Sequence, residues 1–398
     1  MFVRLPENAT RRSNIHDLMR RKPFAARPFL IAGALVAVVT APMGCNSSSV
    51  VPPPYTGAFP PATVSKLNDT ITQFLQTFKS PGVVVAITIP GKGSYMVARG
   101  NMRLTDQVRI GSVTKTFTVT VLLQLADQKR LRLDDPVSKF LPFVPNGKNL
   151  TLRMLANMTS GLYSYTFDKK FVHDLYFEPH RPWTPRELVN IAFKHEPPFK
   201  PGTGFQYCNT NTVLLGMIIE KVTGKSIADD FQTMSFQPLG LKNTVWPTGG
   251  SLPSPYAHGT TTLPDSDKPV DATHWNPSWG FTAGQIVSNL QDLRTWVKAY
   301  TTGAQLSPQM QKQRLMWVKL PPNTAQRKYG LGIGYDHGWF GHTGELPGYN
   351  TAPFYLPSQD ATIVIEVNSD IPGPDHKDPA PVLFRALETI VTPNNIPT

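Results

Sequence analysis

A chain of 398 residues, 40% hydrophobic and 17% charged, is long and apolar enough to bury a full core without disulfides or metals, which excludes a disordered or fibrous class. The net charge of +12 is basic, but outside the N-terminal block no basic stripe interleaved with aromatics stands out, so no nucleic-acid partner is expected. Two cysteines, Cys45 and Cys208, are too few and too far apart for an exported disulfide scaffold.

The chain begins with a cationic segment that carries Arg4, Arg11, Arg12, Arg20, Arg21, Lys22 and Arg27. An apolar run from Phe29 to Ala41 follows. It is shorter than the ~20 residues that a membrane-spanning helix needs, and suits the core of a signal peptide. The run ends in Ala41-Pro42-Met43-Gly44-Cys45. Small residues followed by cysteine resemble the lipobox of bacterial lipoproteins, although Pro42 stands where Leu is usual. The resemblance implies a diacylglyceryl group on Cys45. Residues 1–44 are thus read as a signal peptide, and residues 45–61 as a lipidated cysteine with a Pro/Ser-rich tether. The expected localisation is exported, lipid-anchored at the outer face of a bacterial cell membrane.

The remaining chain, 62–395, reads as one domain. Val64, Leu67, Ile71, Phe74 and Leu75 recur at helical spacing over 63–79, and Pro81-Gly82 ends that helix. The β-branched run Val83–Ile89, the turn Pro90-Gly91-Lys92-Gly93 and Tyr95–Ala98 predict a hairpin. A long helix is expected from Ser112 to about Lys129. Residues of about 130–280 mix helices with Pro- and Gly-rich loops, with one clear apolar helix over Asn211–Val222. Ser288 and Gln291 have capping-box spacing for a helix near Asn289–Thr301. Strands are expected at Gly330–Tyr335, Gly338–His342, Tyr349–Leu356 and Ala361–Asn368, and a last helix near Pro381–Ile390. The fold class is therefore α+β, with an antiparallel sheet built from both chain ends, flanked by helices and interrupted by a mostly helical insert.

Three short segments carry candidate chemistry. In Gly111-Ser112-Val113-Thr114-Lys115, a helix that opens at Ser112 sets Lys115 on the same face, one turn on. A buried lysine loses its charge readily and can then accept the hydroxyl proton. The start of that helix also supplies N–H groups suited to an oxyanion. In Gln206-Tyr207-Cys208-Asn209, an extended backbone turns Tyr207 and Asn209 to one side and Cys208 to the core. In Phe340-Gly341-His342-Thr343-Gly344-Glu345, Thr343 is placed to bond a substrate carboxylate, His342 to tune nearby charge, and Gly344 to admit a close substrate backbone. There is no Gly-x-Ser-x-Gly elbow and no His-Glu-x-x-His pattern, and neither a metal nor a cofactor is expected.

The order Ser-x-x-Lys, Tyr-x-Asn, His-Thr-Gly resembles the penicillin-recognising serine hydrolases. More narrowly it resembles the branch that holds class C β-lactamases, D-alanyl-D-alanine carboxypeptidases of the same fold and related esterases. Leu133–Leu141, Asn157–Leu162, Pro201–Asn209 and Leu214–Leu241 share the likeness, which covers about residues 62–392. Met158, Cys208 and Gln285 depart from residues common in that family. The resemblance implies a β-lactamase/transpeptidase-like fold and an acyl-enzyme on Ser112, with Lys115 and Tyr207 moving protons. It implies an oxyanion hole from the backbone N–H groups of Ser112 and Glu345. It assigns Asn209 to orienting Lys115 and the substrate amide, and His342, Thr343 and Gly344 to substrate binding. Tyr207 is expected to activate the deacylating water as a phenolate stabilised by Lys115. His342, where β-lactamases usually carry Lys, favours a small-molecule, peptide or ester substrate over efficient penicillin hydrolysis. The alternatives are a β-lactamase, a penicillin-binding lipoprotein with little turnover, and a membrane-tethered protein that chiefly binds a partner.

Mass spectrometry of the mature N-terminus checks the export reading. The expected species starts at a diacylglyceryl-modified Cys45; an unmodified Cys45, or a chain that still begins at Met1, overturns it.

Overall fold

The computed structural model describes residues 57–320, 327–373 and 376–395. The signal, Cys45 and most of the tether lie outside the described residues. Helix α1 (Pro61–Phe78) opens on prolines, whose fixed φ suits the first turn. It buries Leu67, Ile71, Phe74 and Phe78 on one face and ends at Lys79 in a left-handed conformation. Strands β1 (Gly82–Ile89) and β2 (Gly93–Gly100) form the expected hairpin. β1 then pairs antiparallel with the C-terminal strand β13 (Ala361–Val367), Val85 opposite Ile365.

From β13 the sheet continues through β12 (Tyr349–Leu356), β10 (Trp339–Gly341), β9 (Gly334–Asp336), β8 (Arg327–Tyr329) and β7 (Val318–Lys319). β11 (Gly344–Leu346) pairs with the start of β12. Both ends of the chain therefore build one sheet, and every residue of β1 and β13 is buried. Alternation divides them between two faces. Val83, Val85, Ile87 and Ile89, with Ile363, Ile365 and Val367, pack under α1 and the last helix α10 (Pro379–Val391). Val84, Ala86 and Val364 join the larger core on the other side.

That larger core holds α2 (Thr114–Asp127), α3 (Leu152–Ala156), α4 (Lys169–Phe177), α5 (Pro185–Ala192), α6 (Asn209–Thr223), α7 (Ile227–Phe231), α8 (Leu290–Thr302) and α9 (Pro308–Arg314). Two small sheets pair β3 (Gln107–Arg109) with β6 (Val287–Asn289), and β4 (Thr260–Thr262) with β5 (Pro269–Asp271). α2 is buried on all sides, from Thr114 through Leu123. A helix so placed must satisfy its own hydroxyls. Thr116, Thr118 and Thr120 donate back to the carbonyls of Val113, Thr114 and Thr116. Against α2 lies α8, where Trp296 stacks on Phe117 with ring centroids 3.7 Å apart and donates Nε1–H to Thr116 Oγ1 at 2.7 Å.

Several expected boundaries shift. The predicted helix from Ser112 starts as a 3-10 turn, Gly111–Val113, and becomes α-helical at Thr114. The capping box at Ser288 does not form. Ser288 is committed to β6 opposite Val108, and its hydroxyl meets Thr244 Oγ1 at 2.8 Å. Asn289 caps α8 instead, accepting from the Asp292 N–H at 3.0 Å. Of the strand expected over Gly330–Tyr335, Gly334 and Tyr335 lie in β9 and residues 330–333 form the hairpin turn from β8, because Gly332 takes φ +63° and Gly330 N–H bonds the Ile333 carbonyl.

Trp296→Ala is expected to lower unfolding free energy by about 3–5 kcal/mol, since it removes a fully buried ring that pins α8 to α2. Denaturant titration reads this as a lower midpoint at similar slope. A loss below about 1 kcal/mol shows that the stack does not hold the two helices together.

Candidate active site

Two glycines set the geometry around Ser112. Gly111 has φ +51°, and a β-carbon on it would meet Glu345 N at 2.4 Å. A β-carbon on Gly344 would strike the Ile110 carbonyl oxygen at 1.9 Å. Only with glycine at both positions does β11 lie directly against the turn that carries Ser112. Thr351 Oγ1 on β12 fastens the same turn by donating to the Ile110 carbonyl at 3.2 Å. The main chain at Ser112 and at Glu345 is thereby brought to one place. Gly344 serves this packing.

Ser112 is half-buried, and Lys115 behind it is fully buried. Lys115 Nζ stands 2.9 Å from Ser112 Oγ and donates to the Ala283 carbonyl at 2.7 Å. It also lies 4.9 Å from the centre of the Tyr207 ring. Burial penalises the ammonium and holds the Lys115 pKa well below the usual lysine value. These surroundings favour the neutral amine over the ammonium. Tyr207 is shifted the other way. Its hydroxyl oxygen is buried without a well-formed hydrogen bond, and desolvation raises its pKa well above that of a free phenol, against the lowering influence of the neighbouring Ser112. A resting phenolate at Tyr207 is therefore not what these surroundings favour.

His342 sits behind Tyr207, 7% exposed, with ring centroids 5.8 Å apart. Its Nδ1–H donates to the Thr343 carbonyl at 2.7 Å, and its Nε2 accepts from the Tyr329 hydroxyl at 3.1 Å. Burial first, and Lys115 in its protonated form second, push its pKa down to about 3, so it is neutral over the working range. His342 thus lies against the Tyr207 ring with both ring nitrogens engaged. Thr343 is half-buried and is not among the cleft-lining residues.

The cleft above Ser112 has a volume of about 270 Å³ and is lined by Asn209, Trp279, Gly280, Ala283, Gly284, Glu345 and Leu346 besides the serine. Asn209 opens α6, so the segment that Tyr207 begins is extended only as far as Cys208. Asn209 Nδ2 donates to Thr166 Oγ1 at 3.0 Å, and its backbone N–H to Ser164 Oγ at 3.0 Å. It faces the cleft as expected, but its amide is held by Thr166 and does not orient Lys115. Cys208 points into the core and donates to the Leu162 carbonyl at 3.3 Å. Burial raises its thiol to about 11. The Met158 departure is absorbed locally, since its sulfur accepts from Asn211 Nδ2 at 3.6 Å.

Three contributors escaped the sequence reading. Ala283 holds Lys115 through its carbonyl, which no side-chain pattern reveals. Tyr165 fixes Trp279 by donating to its carbonyl at 2.6 Å. Tyr329 donates to Nε2 of His342, whose tautomer the Thr343 carbonyl fixes. Both tyrosines stand outside the three motifs, on segments with no local signature.

A family model described as Beta-lactamase matches residues 67–388. Among solved structures, a D-stereospecific amidohydrolase from Streptomyces sp. superposes with a TM-score of 0.76 at 31% identity, covering 83% of this chain and 98% of that one. A D-amino acid amidase from Ochrobactrum anthropi SV3, complexed with L-phenylalanine amide, gives a TM-score of 0.70 at 26% identity over 82% and 97% of the two chains. Protein flp of Staphylococcus aureus (strain MW2) is 27% identical over 322 residues, 75% of this chain and 62% of that protein. The chain thus spans about three fifths of the length of that curated relative. With the family's fold and a match over most of the chain, this protein belongs to the Beta-lactamase family of serine hydrolases.

Proposed function

We propose that Ser112 is the nucleophile of this hydrolase and that Lys115, uncharged at rest, is its base. The observation that carries this reading is the fully buried Lys115 Nζ, 2.9 Å from Ser112 Oγ. In acylation the Oγ–H proton passes to the amine lone pair as Oγ attacks the substrate carbonyl. The backbone N–H groups of Ser112 and Glu345 receive the oxyanion, a service that typically lowers the barrier by about 3 kcal/mol per donor. The proton held on Lys115 then leaves with the departing group, passed on by Tyr207 as a protonated phenol. Attack of water repeats the sequence in reverse and frees Ser112. Asn209 positions the acyl group at the cleft wall.

The substrate we propose is a small amide or short peptide of a D-amino acid, within the carboxypeptidase-like or esterase-like class that the sequence motifs suggest. The small cleft, the uncharged His342 and the names of the two structural relatives support it. β-Lactam hydrolysis is the second reading, favoured by the match to the family model. The enzyme is proposed to act outside the cytoplasm, tethered through Cys45.

A panel of purified enzyme against D- and L-amino acid amides, a D-Ala-D-Ala peptide, a short-chain nitrophenyl ester and a chromogenic cephalosporin checks the substrate class. D-Amides or the D-Ala-D-Ala peptide are expected to lead, and turnover should vanish with covalent fluorophosphonate labelling in Ser112→Ala. Undiminished labelling of that variant removes Ser112 from the mechanism, and a lead by the cephalosporin selects the second reading.

The pH profile tests the base. As pH falls Lys115 takes up a proton and can no longer accept one from Ser112, so kcat/KM should fall on the acid side. His342, with a pKa of about 3, is neutral throughout that limb. His342→Asn is therefore expected to keep the acid limb. Disappearance of the limb in that variant would assign it to the histidine and not to Lys115.

A further inference from the structure

Arg109 closes β3, three residues before Ser112, and is 2% exposed. Its Nη2 donates to three main-chain carbonyls: Gly250 at 2.7 Å, Thr273 at 3.1 Å and Trp275 at 3.2 Å. Its Nε and Nη1 are buried and donate to nothing. Burial lowers its pKa to about 10, and the Tyr349 phenol, not a carboxylate, is the group that raises it. The guanidinium is thus a cation at neutral pH without an anionic partner. The other deeply buried arginine, Arg314, is served better. Its Nη1 and Nη2 each donate at 2.6 Å, to the Tyr300 carbonyl and Thr120 Oγ1.

A cavity adjoins Arg109, walled by Ala272, Trp275, Pro277, Leu346 and Pro347. Trp279 and Leu346 also line the catalytic cleft, so the cavity lies on the far side of that wall from Ser112. Its free space of about 10 Å³ suits one water-sized guest. An anion accepts every N–H offered and also balances the charge, which a water does not. A halide takes up about as much room as a water.

We propose that this cavity is a resident site for a small monovalent anion of halide size, held by the Nε–H and Nη1–H groups of Arg109. The anion fixes Arg109, and Arg109 clamps the segments around Gly250, Thr273 and Trp275 that lead into Trp279 and Ala283. A substrate carboxylate shares the chemistry. The intervening Trp279–Leu346 wall favours the free ion. The site does not depend on which acyl substrate Ser112 takes, nor on Ser112 being the nucleophile.

The test uses the wild-type protein. Crystals soaked in bromide should show an anomalous peak beside Arg109. Exchange of gluconate for chloride at constant ionic strength should raise Tm by about 2 °C, because a ligand of the folded state alone stabilises it. Arg109→Lys keeps the cation but loses the fork, and should lose the chloride-dependent rise. Where that variant does not fold, Ala272→Leu, which fills the cavity, carries the same comparison. No bromide at Arg109, or equal Tm in both salts, overturns the proposal. Chloride that raises KM competitively without raising Tm overturns it as well, and makes the cavity a subsite for a substrate carboxylate.

Discussion

Burial of Lys115 is the constraint on which the rest of this structure depends. An ammonium taken out of water without a carboxylate partner is costly, and the side chain answers by giving up its proton. That outcome needs a particular scaffold. α2 must be enclosed on every side, so its threonines turn their hydroxyls back onto its own carbonyls, and Trp296 covers the Phe117 face. The helix must also begin where the lysine can reach the serine. The 3-10 turn at Gly111–Val113 does this by holding Ser112 just ahead of the first α-helical residue. One carbonyl, that of Ala283, remains to orient the amine.

The second constraint is the contact between the Ser112 turn and β11. A catalytic hydroxyl at the start of a buried helix has no partner strand of its own. Gly111 and Gly344 remove the two side chains that would keep the strands apart, and pairing of β11 with β12 anchors the contact to the main sheet. Because β12 and β13 connect that sheet to β1, the N- and C-terminal parts of the chain must both fold before the site exists. Chemistry at Ser112 is thereby tied to completion of the fold, and loss of either glycine acts on both.

Much of this was legible in the sequence where one local rule governs. The β-branched run Val83–Ile89 and the helical spacing of Leu67, Ile71 and Phe74 place a central strand and its covering helix correctly, because a strand buried on both faces leaves an unbroken apolar run and a helix buried on one face leaves period 3.6. The Ser-x-x-Lys spacing places the central pair for the same reason. Local reading failed where a tertiary contact decides. Ser288 has the right residue type for a cap, but pairing of β6 with β3 claims it, and Asn289 takes the role. The His342 motif does not reveal that Tyr329 and the Thr343 carbonyl use both its ring nitrogens. Asn209 follows Tyr207 at strand spacing, but α6 begins there and Thr166 holds its amide. Ala283 acts through its main chain, so its identity carries no signal. Arg109 reads as one more basic residue until its burial is known.

These particulars share an electrostatic logic. Lys115, Tyr207, Cys208, His342 and Tyr329 are all pushed by burial toward their uncharged forms. Apart from the carboxylate of Glu345 on the cleft wall, these groups give a neutral amide or ester little to bind by charge. Proton transfer from Ser112 to Lys115 changes this at once, since it creates an ammonium and an oxyanion a few ångströms apart in a water-poor space. The ammonium meets the Ala283 carbonyl already in place, and the oxyanion meets main-chain N–H groups fixed by Gly111 and Gly344. Neither dipole has to move when charge appears, so both stabilise the transition state more than the ground state. The neutrality that makes Lys115 a base and the fixed dipoles that await its charge are two consequences of the same burial.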